Sequence, residues 1–279
     1  MSRHTTFRIG GPADALAVPS TVSELQQLLA FCHEQQLPIL VIGRGSNLLV
    51  RDKGLRAVVI KIADALSVVT LNEDGLSAEA GISLAALART AVEAGFGGFE
   101  FASGIPGTLG GAVMMNAGAY GGTMQDVTEQ VTVLDVLGRE HLLSAAELDF
   151  GYRHSALLDR NLIAVAAKLR LPAQAPELGK QLMADLAARR REKQPLQLPS
   201  AGSVFKRPPG HYAGALIQQA GLMGKRIGGA EVSTLHAGFI VNVGGATAAD
   251  VEALIQHVQA TVQEKFGVTL ETEVRIIGE

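Results

Sequence analysis

Tryptophan is absent from these 279 residues, tyrosine occurs three times and cysteine once, at Cys32. A single cysteine excludes a disulfide framework and any multi-cysteine metal site, and its place in an apolar, helix-like pattern reads as a packed core thiol. No His/Glu pair has the spacing of a metal-binding helix. Charge is balanced too: 24 Lys and Arg stand against 27 Asp and Glu, a formal net charge of −3. That leaves neither a basic field for nucleic acid nor a polybasic arm for a membrane. No apolar run reaches the length of a membrane span, and the N-terminus has no signal-peptide core. The expectation is a cytoplasmic protein with a small-molecule ligand and no nucleic-acid or membrane partner. With 47% apolar residues, the chain can bury one large core or two moderate ones.

Glycine is what the chain has in quantity. Between Gly104 and Gly122 it reads GIPGTLGGAVMMNAGAYGG, seven glycines and one proline in nineteen residues, a density at odds with an ordinary helix or strand. Backbone N–H groups in such a stretch can point into one concavity and let a bulky anion approach the main chain, as a pyrophosphate requires. A linker would be polar and repetitive, whereas Ile105, Leu109, Val113, Met114 and Met115 need a core. A second glycine turn, Gly43-Arg44-Gly45-Ser46-Asn47-Leu48, begins like a dinucleotide fingerprint. Leu48 stands where the third glycine belongs and no helix is signalled after it, so it is not a Rossmann turn. Alone it reads equally well as a plain turn; joined to the 104–122 cradle it suggests two loops on one extended cofactor.

Capping signals and periodicity predict helices near 21–36, 83–95, 177–193, 212–220 and 247–266, with a short one capped by Ser144 and Glu147. Strands are predicted at 39–42, 58–62, 66–71, 76–80, 162–171 and 239–243, with a hairpin around Gly138. This is α+β texture. Pro172 and Pro176, bracketing Ala173-Gln174-Ala175, mark a domain boundary. Arg189, Arg190, Arg191 and Lys193 read as the solvated end of a helix, where cations suit the helix dipole, and receive no role. Segment 268–277 alternates, setting Glu271, Glu273 and Arg275 on one face and Val268, Leu270, Val274 and Ile276 on the other. Tyr152-Arg153, Ser203 and His236 lie near glycine turns, yet each alone is as bland as a surface arginine, a turn serine or a core histidine. Ser203 lacks the G-x-S-x-G context of a nucleophile elbow, which disfavours hydrolysis.

Nine pieces then occur in a familiar order: HTTFRIGGPAD from His4, GRGSNLLV from Gly43, FASGIPGTLGGA from Phe101, MNAGAYG from Met115, GYRHS from Gly151, AGSVFKRP from Ala201, IGGA from Ile227, HAGFIVN from His236 and EVRIIG from Glu273. In this order they resemble the UDP-N-acetylenolpyruvoylglucosamine reductase (MurB) family over nearly the whole chain. The resemblance implies an α+β protein with a two-lobed FAD-binding domain of the vanillyl-alcohol oxidase (PCMH) type over 1–173, its lobes about 1–58 and 59–173. A smaller α/β substrate-binding domain would span 174–269, and a strand at about 270–279 would return to the flavin domain.

The resemblance also implies a bacterial, monomeric enzyme that reduces the enolpyruvyl ether of UDP-N-acetylglucosamine with NADPH through non-covalent FAD. Arg153 and Glu273 would stabilise the intermediate and Ser203 would donate the proton. Gly43, Arg44, Gly45, Ser46 and Asn47, with Ser103, Gly104, Pro106, Gly107, Gly110, Gly111, Asn116 and Gly118, would hold FAD. Tyr152, Lys225, His236 and Asn242 would face the UDP-sugar. Family members usually carry more residues ahead of the His4 motif than the three present here, which touches peripheral packing rather than chemistry. Some carry a tyrosine-bearing insertion that closes over the substrate; the run from Leu171 into the next helix leaves no room for it, as in the shorter class. Two other readings stand beside this one. An alcohol or hydroxy-acid oxidase on the same flavin scaffold would often tether flavin through His or Cys, and the loops offer neither. A flavin or nucleotide-sugar binding module without turnover would have no need of Arg153, Ser203 and Glu273 together.

Overall fold

Helix starts fall where side-chain oxygens meet otherwise unpaired backbone N–H groups. The computed structural model describes residues 1–279. In it, Thr21 accepts from the Glu24 N–H (3.1 Å) at the head of helix Val22–Glu34, and Ser83 from the Ala86 N–H (3.2 Å) at the head of Leu84–Glu93. Thr247 and Asp250 form a reciprocal box ahead of Ala248–Phe266, which ends at Gly267 with φ +69°. Ser144 and Glu147 exchange the same bonds, but no helix follows. Asp149, in the left-handed region at φ +42°, turns the chain out of the helical path before a second turn can form.

Contacts group the chain into two units that do not follow sequence order. One contains Ala15–Arg44 and Ala57–Arg190; the other contains Met1–Asp14, Gly45–Arg56 and Arg191–Glu279. The first is built on a five-stranded antiparallel sheet in the order Glu140–Ser144, Thr128–Leu134, Ile163–Arg170, Gly75–Glu79, Val69–Asn72. Helices Leu84–Glu93 and Leu109–Met114 share its core, where Leu76, Leu87, Val113, Val131 and Leu169 are wholly buried. Beside it, Ile39–Ile42 runs parallel to Leu55–Lys61, Ile39 opposite Val58. Cys32 is buried and unpaired, and burial raises its thiol pKa.

In the second unit, Phe7, Ile9 and Leu49 pack in one apolar cluster with Val204, Phe205, Val251, Leu254, Leu270 and Val274. This places residues 1–14 and 45–56, read from sequence as part of a flavin lobe, in the core shared with 191–279. The terminal strand Arg275–Ile277 pairs in parallel with Leu48–Val50 in this same unit. Asp52 accepts from the N–H groups of Ala248 and Ala249 (2.8 and 3.1 Å), and the Arg51 guanidinium forks onto Glu252. The contact boundary lies at Arg190/Arg191, beyond the Pro172–Pro176 break. The helix Pro176–Lys193 stays with the first unit as far as Arg190, because Gly179 sits so close to Val92 that a Cβ would lie 2.7 Å from its Cγ1. Gln174 just before it is bonded to buried Glu100 (2.6 Å). No helix is long and apolar enough to cross a membrane.

Candidate active site

Contrary to the sequence expectation, the 104–122 stretch contains a helix, Leu109–Met114. The helix lies directly on Ala80: the Gly110 N–H donates to the Ala80 carbonyl (2.9 Å), and a Cβ on Gly110 would stand 2.9 Å from the Ala80 Cβ. Gly111 is different, since a Cβ there would meet nothing nearer than Thr108 Oγ1 at 3.6 Å. Gly107 has φ +152°, where side chains rarely go. Gly43 completes the arrangement, because a Cβ on it would collide with the Thr108 hydroxyl. The two glycine loops therefore meet at Gly43 and Thr108, bordered by the partly or fully exposed Ser103, Gly104, Pro106 and Gly111. A surface of bare backbone with few side chains suits a pyrophosphate and a flat ring, and FAD fits the residues present.

The remaining expected cofactor residues have identifiable partners. Arg44 pairs with Asp64 (2.8 Å) on the surface. In the other unit the Gly45 carbonyl accepts from the Thr6 N–H (3.3 Å), half-buried Ser46 follows it, and Asn47 Nδ2 donates to the Glu273 carbonyl (3.1 Å). Gly118 is set by its own tight ladder with Thr123. Asn116 is 6% exposed and its amide is engaged at both ends. Nδ2 donates to the Gly151 carbonyl (2.9 Å) and Oδ1 accepts from the Gln125 N–H (3.0 Å). It works as a tie between the glycine-rich loop and the turn that carries Arg153.

That turn is tight. Gly151 and His154 exchange both backbone hydrogen bonds (3.0 and 3.3 Å), and wholly buried Ser155 donates to the Met114 carbonyl (2.9 Å). Arg153 is held at φ +57°, a strained conformation for a long side chain, retained only because its surroundings fix it. The Arg153 guanidinium carbon is 5.3 Å from the ring centre of exposed Tyr152. Nothing local in the sequence announces Asn116 or Ser155 as anchors, because their acceptors are distant in the chain.

In the second unit, residues 203–206 run between two neighbours, with Ser203 opposite Phe239 and Phe205 opposite Thr272. The Glu273 N–H donates to the Val204 carbonyl (2.7 Å), and the Lys206 N–H to that of Glu271 (2.9 Å). Ser203 and Glu273 thus sit on adjacent extended segments. The Ser203 hydroxyl makes one long bond, to the Phe205 carbonyl (3.3 Å), from which it can turn to a ligand. Gly238 separates Ser203 from His236: a Cβ on it would lie 3.0 Å from His236 Cε1 and 3.4 Å from Ser203 Oγ. The Gly238 N–H donates to His236 Nδ1 (3.1 Å), which leaves the proton of the neutral ring on Nε2, and burial pushes the His236 pKa below its ordinary value. Lys225 is exposed. Asn242 is a turn anchor: Oδ1 accepts from the N–H groups of Gly244 and Ala246 (3.0 and 3.2 Å), and Nδ2 donates to the Phe7 carbonyl (3.3 Å).

A glycine cradle without a Rossmann helix suits a flavin-dependent oxidoreductase, and residues 13–144 match the FAD binding domain family. Residues 194–277 match the family described as UDP-N-acetylenolpyruvoylglucosamine reductase, C-terminal domain. Over 279 residues the chain is 52% identical to the UDP-N-acetylenolpyruvoylglucosamine reductase of Alkaliphilus oremlandii and 51% identical to that of Caldanaerobacter subterraneus, covering all of this chain and 92% of each relative. The crystal structure of the MurB enzyme from Thermus caldophilus superposes with a TM-score of 0.85 at 39% identity, covering 99% of this chain and 97% of that one. The chain belongs to the UDP-N-acetylenolpyruvoylglucosamine reductase (MurB) family.

Proposed function

We propose that this chain reduces the enolpyruvyl ether of UDP-N-acetylglucosamine to UDP-N-acetylmuramate in the bacterial cytoplasm, as a step in making peptidoglycan precursors. The observation that carries the assignment of roles is the backbone pairing that sets Ser203 beside Glu273. Bound FAD would supply the hydride, taken from NADPH. With hydride on the terminal carbon of the enolpyruvyl group, negative charge collects on the carbon beside the carboxylate. Arg153 pairs that carboxylate, its planar fork matching the two oxygens. Ser203 Oγ holds the proton delivered to the charged carbon; a hydroxyl is a weak acid, but a carbanion is a strong enough base to take its proton. Glu273 supports the charge when protonated or firmly hydrogen-bonded, and its backbone is held on one side by Val204 and on the other by Asn47. His236, its ring proton on Nε2 and Gly238 between it and Ser203, would contact the nucleotide sugar, as would Lys225 and Tyr152.

The two half-reactions test this. In Ser203→Ala, reduction of the flavin by NADPH is expected at close to the wild-type rate, while reoxidation by the enolpyruvyl sugar falls by about 10²–10⁴-fold. Stopped-flow flavin absorbance reads both steps. A variant slowed only in the NADPH step, or in neither, overturns the assignment.

A further inference from the structure

Arg190 lies in the last turn of the helix Pro176–Lys193, in a cluster of cations that sequence alone reads as solvated. The structure separates it from its neighbours. Arg189 and Lys193 are exposed, whereas Arg190 follows Gly179, Met183 and Leu186 down the inward face of the helix. Its Nε and one terminal nitrogen, Nη1, are closed off from solvent and have no hydrogen-bond partner. Buried charged donors without an acceptor are costly unless a ligand supplies one. The guanidinium rests against the glycine loop: a Cβ on Gly104 would lie 2.8 Å from Nη1 and 3.1 Å from Cζ, and the Tyr120 ring centre is 6.0 Å from Cζ. The buried carboxylate that opens the same loop, Glu100, is already taken by Gln174.

We infer that Arg190 receives the anionic part of the bound cofactor across Gly104. The inference rests on the FAD reading of this cradle. What the fork recognises is a pair of electron-rich acceptors. Two parts of a flavin dinucleotide offer them: the pyrophosphate oxygens, and the N1–C2=O edge of the ring, which gains negative charge on reduction.

Arg190→Met keeps the length of the stem and deletes the fork, while Gly104→Ala displaces the guanidinium from the opposite side. Dissociation constants of FAD and of riboflavin for the apo-protein, from quenching of flavin fluorescence, and the two-electron potential of the bound flavin read the outcome. FAD is expected to bind at least about tenfold more weakly to both variants. Unchanged riboflavin affinity and potential would assign the pyrophosphate. Weakened riboflavin, with reduced flavin losing about tenfold in affinity relative to oxidised, equivalent to about 30 mV, would assign the ring edge. If Arg190→Met does not fold, Arg190→Lys, which keeps the charge but lacks the fork, decides by the same readings. Wild-type FAD affinity and potential in the Arg190 variant, even with a raised KM for the sugar, overturn the inference. A wild-type apo-protein that binds no FAD would instead bring down the cofactor reading itself.

Discussion

Gly110 and Gly111 are neighbours in one short helix and lack side chains for opposite reasons, so alanine at each position separates packing from cofactor binding. At Gly110 the new Cβ would stand 2.9 Å from the Ala80 Cβ and 3.6 Å from that of Ala164, against about 3.5–4.0 Å for a relaxed carbon contact. Overpacking of this kind costs about 1–3 kcal/mol, offset by about 1 kcal/mol from the better helix propensity of alanine. Gly110→Ala should therefore lower the melting temperature of the apo-protein by a few degrees, at about 2–4 °C per kcal/mol.

At Gly111 the nearest atom is 3.6 Å away, an ordinary contact, and alanine should leave the apo-protein as stable or slightly more so. The same methyl group would stand in the cradle. If it weakens FAD tenfold, then at a concentration of about 100 times the wild-type Kd the stabilisation by FAD falls from about 2.7 to about 1.4 kcal/mol. Thermal melts of both apo-variants with and without FAD check this. Gly111→Val, bulkier at the same point, should lose FAD altogether. The reasoning fails if the Gly111 variants bind FAD as the wild type does, or if Gly110→Ala melts normally while losing FAD.

Asn116→Ala removes the tie from Gly151 and Gln125, which should destabilise the fold by about 1–3 kcal/mol and raise KM for the enolpyruvyl sugar more than the Kd for FAD. Asn116→Asp, which keeps the acceptor but not the donor, should recover only part of the loss. Reduced FAD affinity with unchanged sugar kinetics would make Asn116 a cofactor contact instead. Glu273→Gln should fold normally, since its main chain carries the pairing to Val204, yet lose about two or more orders of magnitude in turnover with the sugar; near-normal kinetics would leave Glu273 an ordinary surface residue. Because burial holds the His236 pKa below its unfolded value, the unfolded chain takes up the proton first, and stability should fall as the pH drops through the ordinary histidine range. His236→Gln should flatten that slope in chemical denaturation measured from about pH 8 to about pH 5, and an unchanged slope counts against the half-buried neutral ring.

Signals confined to a few residues were legible in the sequence. Thr21, Ser83 and Thr247 cap the helices they announce, because donor and acceptor lie within one turn. Ser144 and Glu147 carry the same signal and make the same bonds without a helix, so a cap fixes where a helix can begin and not whether the chain continues in one. Glycine was legible as bare backbone, but its cause was not. Gly110 answers to Ala80 and Gly111 to open space, a difference set by a strand distant in sequence. Arg153, Ser203 and Glu273 are individually unremarkable and were picked out by resemblance. The backbone ladder joining 203–206 to 271–274 supplies a physical reason for two of them.

Arg190 is the opposite case, a residue whose signal was present and outweighed. Gly179, Met183, Leu186 and Arg190 recur at helical spacing, and Gly179 and Leu186 are the buried residues of that helix. Yet the helix is so polar on every other face that its end reads as uniformly solvated. Adjacent arginines at a helix end are equivalent to the dipole and to composition. They differ only in which of them continues the inward stripe, and in this chain that one meets a glycine loop rather than water.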